Sequence, residues 1–215
     1  MQASTNVEKI TNAADREFSS DTGFWFKTSG VTILDGVARF TNVTPYNGGL
    51  RKAFLTVGKA YLFTYTVKNW VSGNVALFDS NYGITMATTG NGTYSRYLVA
   101  TGSAAYITST NDINQFDIEN VSIQEIGWSD STNLYNYIYA NTTGTAEQKE
   151  YAAVKAAAMW CHYNNDPALG AVYGKLYNWY AVRLLQMDID YYNAANPTSP
   201  WGWRVPVNTD YANLS

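Results

Sequence analysis

The 215-residue sequence predicts a mainly β protein, with a β-sandwich over residues 21–127 followed by a smaller α+β segment over 128–215. Three observations predict it. Between residues 22 and 127, eight or nine short apolar runs lie between Gly/Asn/Ser/Thr turns. Their spacing of roughly 8–12 residues suits an antiparallel sandwich better than βαβ units. Tyr61, Phe63, Tyr65 and Val67 alternate with Leu62, Thr64 and Thr66, and period two places the first set on one strand face. No helix signal interrupts this region, whereas the pattern changes at Gly127-Trp128-Ser129-Asp130 and a strong helix follows.

Taken in order, residues 1–20 are polar and weakly patterned, and read as an arm that orders against a partner or as a frayed end. The strand candidates are GFWFKT, GVTIL, GVARFT, LRKAF, YLFTYTVKNW, NVALF, TYSRYLVA, AAYITS and QFDIENVSIQEI. Leu34-Asp35-Gly36 and Thr89-Gly90-Asn91-Gly92 suit hairpins or tight connections. In the last run Phe116 and Ile118 change phase with Val121 and Ile123 at Glu119-Asn120, which predicts a β-bulge. A helix is expected over about 146–161, with Thr145 as N-cap and Gln148 completing a capping box. Its apolar stripe is Tyr151, Val154, Ala158 and Cys161, and Asn164-Asn165-Asp166-Pro167 ends it. The remaining tail is rich in Tyr and Trp.

Composition narrows the function classes. Only 14% of residues are charged, net charge is -3 and aromatics reach 15%. Such a surface is polar without being ionic, and no Lys/Arg run is longer than Arg51-Lys52, so nucleic-acid binding is not expected. One cysteine, Cys161, and one histidine, His162, exclude an internal disulfide and the usual zinc and iron sites. The first 20 residues do not read as a secretory signal, and no apolar run is long enough to insert in a membrane. There is no Walker loop, dinucleotide fingerprint or nucleophile elbow.

Two segments resemble known families. Phe18 with Asp21–Trp25, VTILDGVARF over 31–40, Val57–Tyr61 and the closing Phe116–Ile123 resemble carbohydrate-binding-like, galactose-binding-type jelly rolls. Tyr163–Asp166, Tyr173–Val182 and Gly202–Pro206 resemble the opening half of the Fibrobacter succinogenes major paralogous domain, which is similar to C-type lectin-like folds. The resemblance implies structural roles for Tyr173, Gly174, Tyr177, Asn178, Trp179, Tyr180, Gly202, Trp203, Arg204 and Pro206, with the 177–180 cluster in the core. Residues 183–201 depart from the family's short loop and are more apolar, which suits an oligomer interface. The family domain continues well past Arg-Val-Pro, whereas this chain stops nine residues after Pro206. The second domain is therefore expected to be incomplete: part of a longer polypeptide, completed by another chain, or half of the fold.

No catalytic constellation emerges, and the chain is expected not to be an enzyme. Cys161 beside His162 sits on the expected apolar stripe and reads as structural. Asp117 with Glu119, and Asp188 with Asp190 if extended, could form paired carboxylates, but a solvent face and a loop surface explain them more simply. Asp35, Asp79 and Asn81 could supply oxygen ligands to calcium, though no ligand set is complete, and no other cofactor is expected. For glycan binding the eligible platforms are Trp25, Tyr46, Trp70, Tyr82, Tyr94 and Tyr97, although plugging the sandwich core is the favoured reading of Trp25 and Trp70.

By resemblance, both modules occur in phage fibres and on bacterial surfaces. The expectation is a phage virion structural protein, a head or tail fibre or decoration component, with residues 1–20 or the first domain attached to capsid or tail proteins. It would be a homo-oligomer, a trimer by analogy, that contacts a cell-surface glycan. The alternative expectation is a bacterial surface or secreted carbohydrate-binding module.

Overall fold

A computed structural model describes residues 5–80, 86–162 and 175–198. The chain divides into two compact units, Asn6–Ile126 and Gly127–Ser215 with Met1–Thr5. The first is an antiparallel β-sandwich of jelly-roll type; helices and a short β-ribbon follow it.

The sandwich comprises β1 (Val7–Glu8), α1 (Ala13–Glu17), β2 (Phe26–Lys27), β3 (Val31–Leu34), β4 (Val37–Thr41), β5 (Leu50–Ala53), β6 (Ala60–Ser72), β7 (Val75–Asp79), β8 (Met86–Thr88), β9 (Gly92–Val99), β10 (Ala104–Thr108) and β11 (Gln115–Glu125). One sheet runs β3-β4-β11-β6-β9, with β1 also paired to β11, and the other runs β2-β5-β10-β7-β8. The two-residue turn Asp35-Gly36 has φ of 54° and 78°, the left-handed pair that a tight β3–β4 hairpin requires. Thr89–Asn91 carries the chain from one sheet to the other. The β6–β11 register slips between Glu119 and Ser122, with Asn120 at φ 51°, so the phase change in the sequence is a bulge.

Alternation fills the core. Tyr61, Phe63, Tyr65 and Val67 all point inward, where they meet Phe40, Phe116, Ile118, Ile123, Leu50 and Ile107. Burying such side chains contributes about 1.5–3 kcal/mol each relative to exposure. The buried phenols remain satisfied, because Tyr61 Oη accepts from Thr56 N at 2.8 Å and Tyr65 Oη shares a hydrogen bond with Thr88 Oγ1 at 2.9 Å.

The expected arm over residues 1–20 is corrected for its described part. β1 pairs with Gln124 and Glu125, Asn12 caps α1, and Ile10 and Phe18 are buried in the same core as β6. Two apolar anchors in a polar stretch suffice to dock it, a signal too sparse for periodicity to register.

The second unit contains α2 (Ser131–Asn141), α3 (Ala146–Ala157), β12 (Trp160–His162), β13 (Lys175–Tyr177) and α4 (Trp179–Ala195). The Thr145–Gln148 capping box starts α3, but the helix ends four residues earlier than expected. Ala158 turns to ψ 119° and β12 then pairs with β13, placing Cys161 and His162 on a strand instead of a helix end. The buried stripe is Ala153, Val154 and Ala157, while Tyr151 is exposed.

Two further expectations are corrected. Tyr177 and Trp179 are 55% and 63% exposed rather than core, whereas Asn178 is buried and Tyr180 stacks on Tyr135 at 5.0 Å. Residues 183–195 continue α4, so Asp188 and Asp190 sit two apart on a helix and do not share a face.

Candidate functional site

The register of the five-stranded sheet assembles one row of side chains on the face turned away from the core. Phe26 on β2 lies opposite Arg51 on β5, Arg51 opposite Tyr106 on β10, and Tyr106 opposite Phe78 on β7. Directly paired residues share a face. Their sequence neighbours Leu50, Ala105, Ile107 and Leu77 belong to the core, so this row faces outward.

The row is continuous. The Arg51 guanidinium carbon stands 4.0 Å from the Phe26 ring centroid, Tyr106 stacks on Phe78 at 5.4 Å and 20°, and Tyr46 lies against Phe78 at 6.2 Å. Phe26 is 52% exposed, Tyr46 is 42% exposed and Tyr106 is half-buried, whereas Phe78 is buried and backs its two tyrosines. Four strands span on the order of 14 Å across the sheet, enough to underlie several sugar rings in series. At the β2 end the row opens into a cleft of about 590 Å³, walled by Phe24, Trp25, Phe26, Lys27, Arg51, Lys52 and Tyr106. Lys52 Nζ stands 4.4 Å from the Phe24 ring centroid.

Among the described residues, only Tyr46 of the sequence candidates joins this row. Trp25 walls the cleft but is 3% exposed, with its indole N–H donated to Asp15 O at 3.0 Å. Trp70 is half-buried against the core and donates to Gly73 O at 3.0 Å. Tyr97 lies opposite Leu62 on the outer face of the other sheet, and Tyr94 packs on Tyr65 at 5.8 Å. Tyr82, Asn81, Tyr173, Gly174, Gly202, Trp203, Arg204 and Pro206 lie outside the described residues.

Sequence reasoning missed Phe26, Arg51, Phe78 and Tyr106. A usable signal existed for Tyr106, which alternates with Ala105 and Ile107 and so must face away from them.

The carboxylates serve structure. Asp117, 3% exposed, accepts from Arg39 Nε at 2.9 Å, Arg39 Nη2 at 3.2 Å and Asn69 Nδ2 at 2.8 Å, and Glu119 pairs with Lys68 at 2.7 Å. Asp188 accepts from Tyr151 Oη at 3.2 Å and Asp190 from Gln186 Nε2 at 2.7 Å. Of the calcium candidates, Asp79 is fully buried and its Oδ2 accepts from Thr101 Oγ1 at 3.0 Å and Gly102 N at 2.8 Å, which anchors the β9–β10 turn. Asp35 occupies the β3–β4 turn. Among the described residues no group of three or more His, Cys, Asp or Glu could hold a metal, and no helix is long and apolar enough to cross a membrane.

The chain thus pairs a jelly-roll sandwich with a small α+β region, and the described residues form no catalytic constellation. Residues 121–215 match the Fibrobacter succinogenes major domain, a match that begins within β11 and covers the whole second motif set. No curated protein matches the chain.

Among solved structures, the CBM22-1 xylan-binding domain of Paenibacillus barcinonensis Xyn10C is similar at 14% identity, with 59% of this chain and 98% of that one covered and a TM-score of 0.37. The CBM22-1–GH10 modules of Clostridium thermocellum xylanase 10B, complexed with xylohexaose, are 14% identical over 53% of this chain and 28% of that one, at TM-score 0.36. The N-terminal cellulose-binding domain of Cellulomonas fimi β-1,4-glucanase C is 13% identical over 50% of this chain and 92% of that one, at TM-score 0.33. The virion, head-fibre and tail-fibre expectation is set aside: these three structures are described as xylan- or cellulose-binding domains or modules of bacterial xylanases and a glucanase, and none of the three is described as a particle protein.

Proposed function

We propose that Asn6–Ile126 is a non-catalytic carbohydrate-binding module of a bacterial surface or secreted protein, with the outer face of its five-stranded sheet as the platform. One observation carries the reading: strand register alone lines up Phe26, Arg51, Tyr106 and Phe78, with Tyr46 alongside, on a face that the core does not need. Sugar rings present apolar C–H faces and equatorial hydroxyls, and aromatic surface flanked by a few directional donors recognises both. The gap-free row suits an extended chain of sugars better than a single terminal one. Tyr97, on the opposite sheet, is not part of this platform.

The test is a soluble polysaccharide panel, including xylan and β-glucan, titrated into the full chain by calorimetry and affinity electrophoresis. Tyr106→Ala and Phe26→Ala should each weaken binding about tenfold or more, with near-ultraviolet circular dichroism unchanged. Tyr97→Ala should leave binding intact. Binding that survives both platform substitutions, or that follows Tyr97, would overturn the assignment.

A further inference from the structure

The cleft at the β2 end of the platform carries an unusual charge. Lys27, Arg51 and Lys52 all line it and no carboxylate does, in a chain of net charge -3. Elsewhere in the sandwich four cations sit beside anions, with Lys9 and Lys59 meeting Glu125 at 3.3 and 3.4 Å, Arg39 meeting Asp117 and Lys68 meeting Glu119, while Arg16 and Arg96 donate to backbone carbonyls. Lys27 follows that habit and pairs with Asp21. Arg51 and Lys52 do not. Among the described residues neither meets a carboxylate, and each is held over an aromatic ring, Phe26 or Phe24.

That arrangement has a chemical meaning. Stacking on a ring uses the flat face of the guanidinium and leaves its in-plane N–H donors for another acceptor. Those donors form a planar fork that matches a carboxylate with two parallel hydrogen bonds. The neighbouring rings of Phe26 and Tyr106 offer the apolar surface against which a pyranose would lie.

We infer that the cleft selects acidic glycans, binding the carboxylate of a uronic acid on Arg51 with Lys52 adding to the positive field. The inference rests on the carbohydrate-binding reading above and adds the class of sugar. Because Arg51 is exposed to solvent, the gain is modest: about five- to tenfold over the neutral sugar at low salt, and less as salt rises.

The experiment compares polygalacturonate with the same polymer after carboxyl reduction, titrated into the full chain at low and high salt. Wild type should prefer the acidic form by about five- to tenfold, and Arg51→Gln should bring the ratio of the two affinities to about one, with polygalacturonate losing more affinity than the reduced polymer. Arg51→Lys should recover the preference only in part, since lysine lacks the fork. Equal affinity for the two polymers would overturn the inference and leave the platform reading standing. Sulfated dextran bound as tightly as polygalacturonate, or full rescue by Arg51→Lys, would overturn the carboxylate assignment in favour of simple charge attraction. Binding to no polymer of either panel would overturn the platform reading itself.

Discussion

Replacing Asn178 removes three hydrogen bonds at one buried point. Its Nδ2 donates to Ala157 O at 2.7 Å, and its Oδ1 accepts from Met159 N and from Ala181 N, both at 3.0 Å. The side chain therefore closes the gap where α3 gives way to β12 and also caps α4. Met159 is 1% exposed and Ala157 is fully buried, so water cannot readily replace the lost partners. Alanine at this site should strand one carbonyl and one N–H at about 1–3 kcal/mol each and remove a cap worth about 1 kcal/mol, roughly 3 to 7 kcal/mol together.

Aspartate separates the contributions. It caps a helix as well as asparagine and can still accept from Met159 and Ala181, but it cannot donate to Ala157 and sets a carboxylate against that carbonyl. Asn178→Asp should therefore cost about 2 kcal/mol or more. A chain of two units need not unfold in one step, so the measurement is native-state hydrogen exchange by mass spectrometry on peptides within 146–162 and 175–198, with the sandwich as internal reference. Protection in Asn178→Asp equal to wild type would refute the reasoning, because the cap alone would then account for the residue.

Two other consequences concern stability. Tyr135 donates to Glu150, and that hydrogen bond, then burial, then the neighbouring negative charge push its phenol up to about 12 from 10.0. A raised folded pKa means the contribution is fully present below the unfolded value and is lost as pH climbs from 10.0 towards 12. Tyr135→Phe should flatten the fall of the urea midpoint of the helical signal across that window, and parallel curves for the two proteins would refute it. Gly49, at φ +125°, would bring an added Cβ to 2.2 Å from Ile107 O, whereas Gly58 at φ +82° has open space. Gly49→Ala should lower sandwich stability by at least about 2 kcal/mol and Gly58→Ala by about 1 kcal/mol, read as thermal midpoints; equal shifts would show that backbone strain, not packing, sets the cost.

The strands were legible because their signals are local. Alternation at 61–67 and turn residues such as Asp35-Gly36 act within a few residues, and so does the Thr145–Gln148 box, so sequence neighbours suffice to read them. The end of α3 was not legible, since the apolar stripe runs on to Cys161 and what stops the helix is Asn178, some twenty residues later. The α4 helix was hidden because its exposed Trp179 and Tyr191 mimic a core-bound or irregular aromatic segment. In the candidate site the aromatic surplus was visible and core packing was the favoured reading of Trp25 and Trp70, which indeed pack in or against the core and donate to backbone carbonyls, but nothing local singled out Phe26 or Phe78.

By itself, the sequence determined a low-charge, aromatic-rich sandwich followed by a helix-bearing second part, because residue type and period decide which faces seek burial. Only the tertiary structure decided which aromatics remain available. Phe26, Arg51, Phe78 and Tyr106 lie as much as 80 residues apart in the chain, and β-sheet register brings them side by side on one face. Register depends on every strand that the sheet pairs, so no local window contains it. The same pairing leaves Arg51 and Lys52 over rings instead of carboxylates, and that turns an aromatic face into a candidate site with a preferred charge.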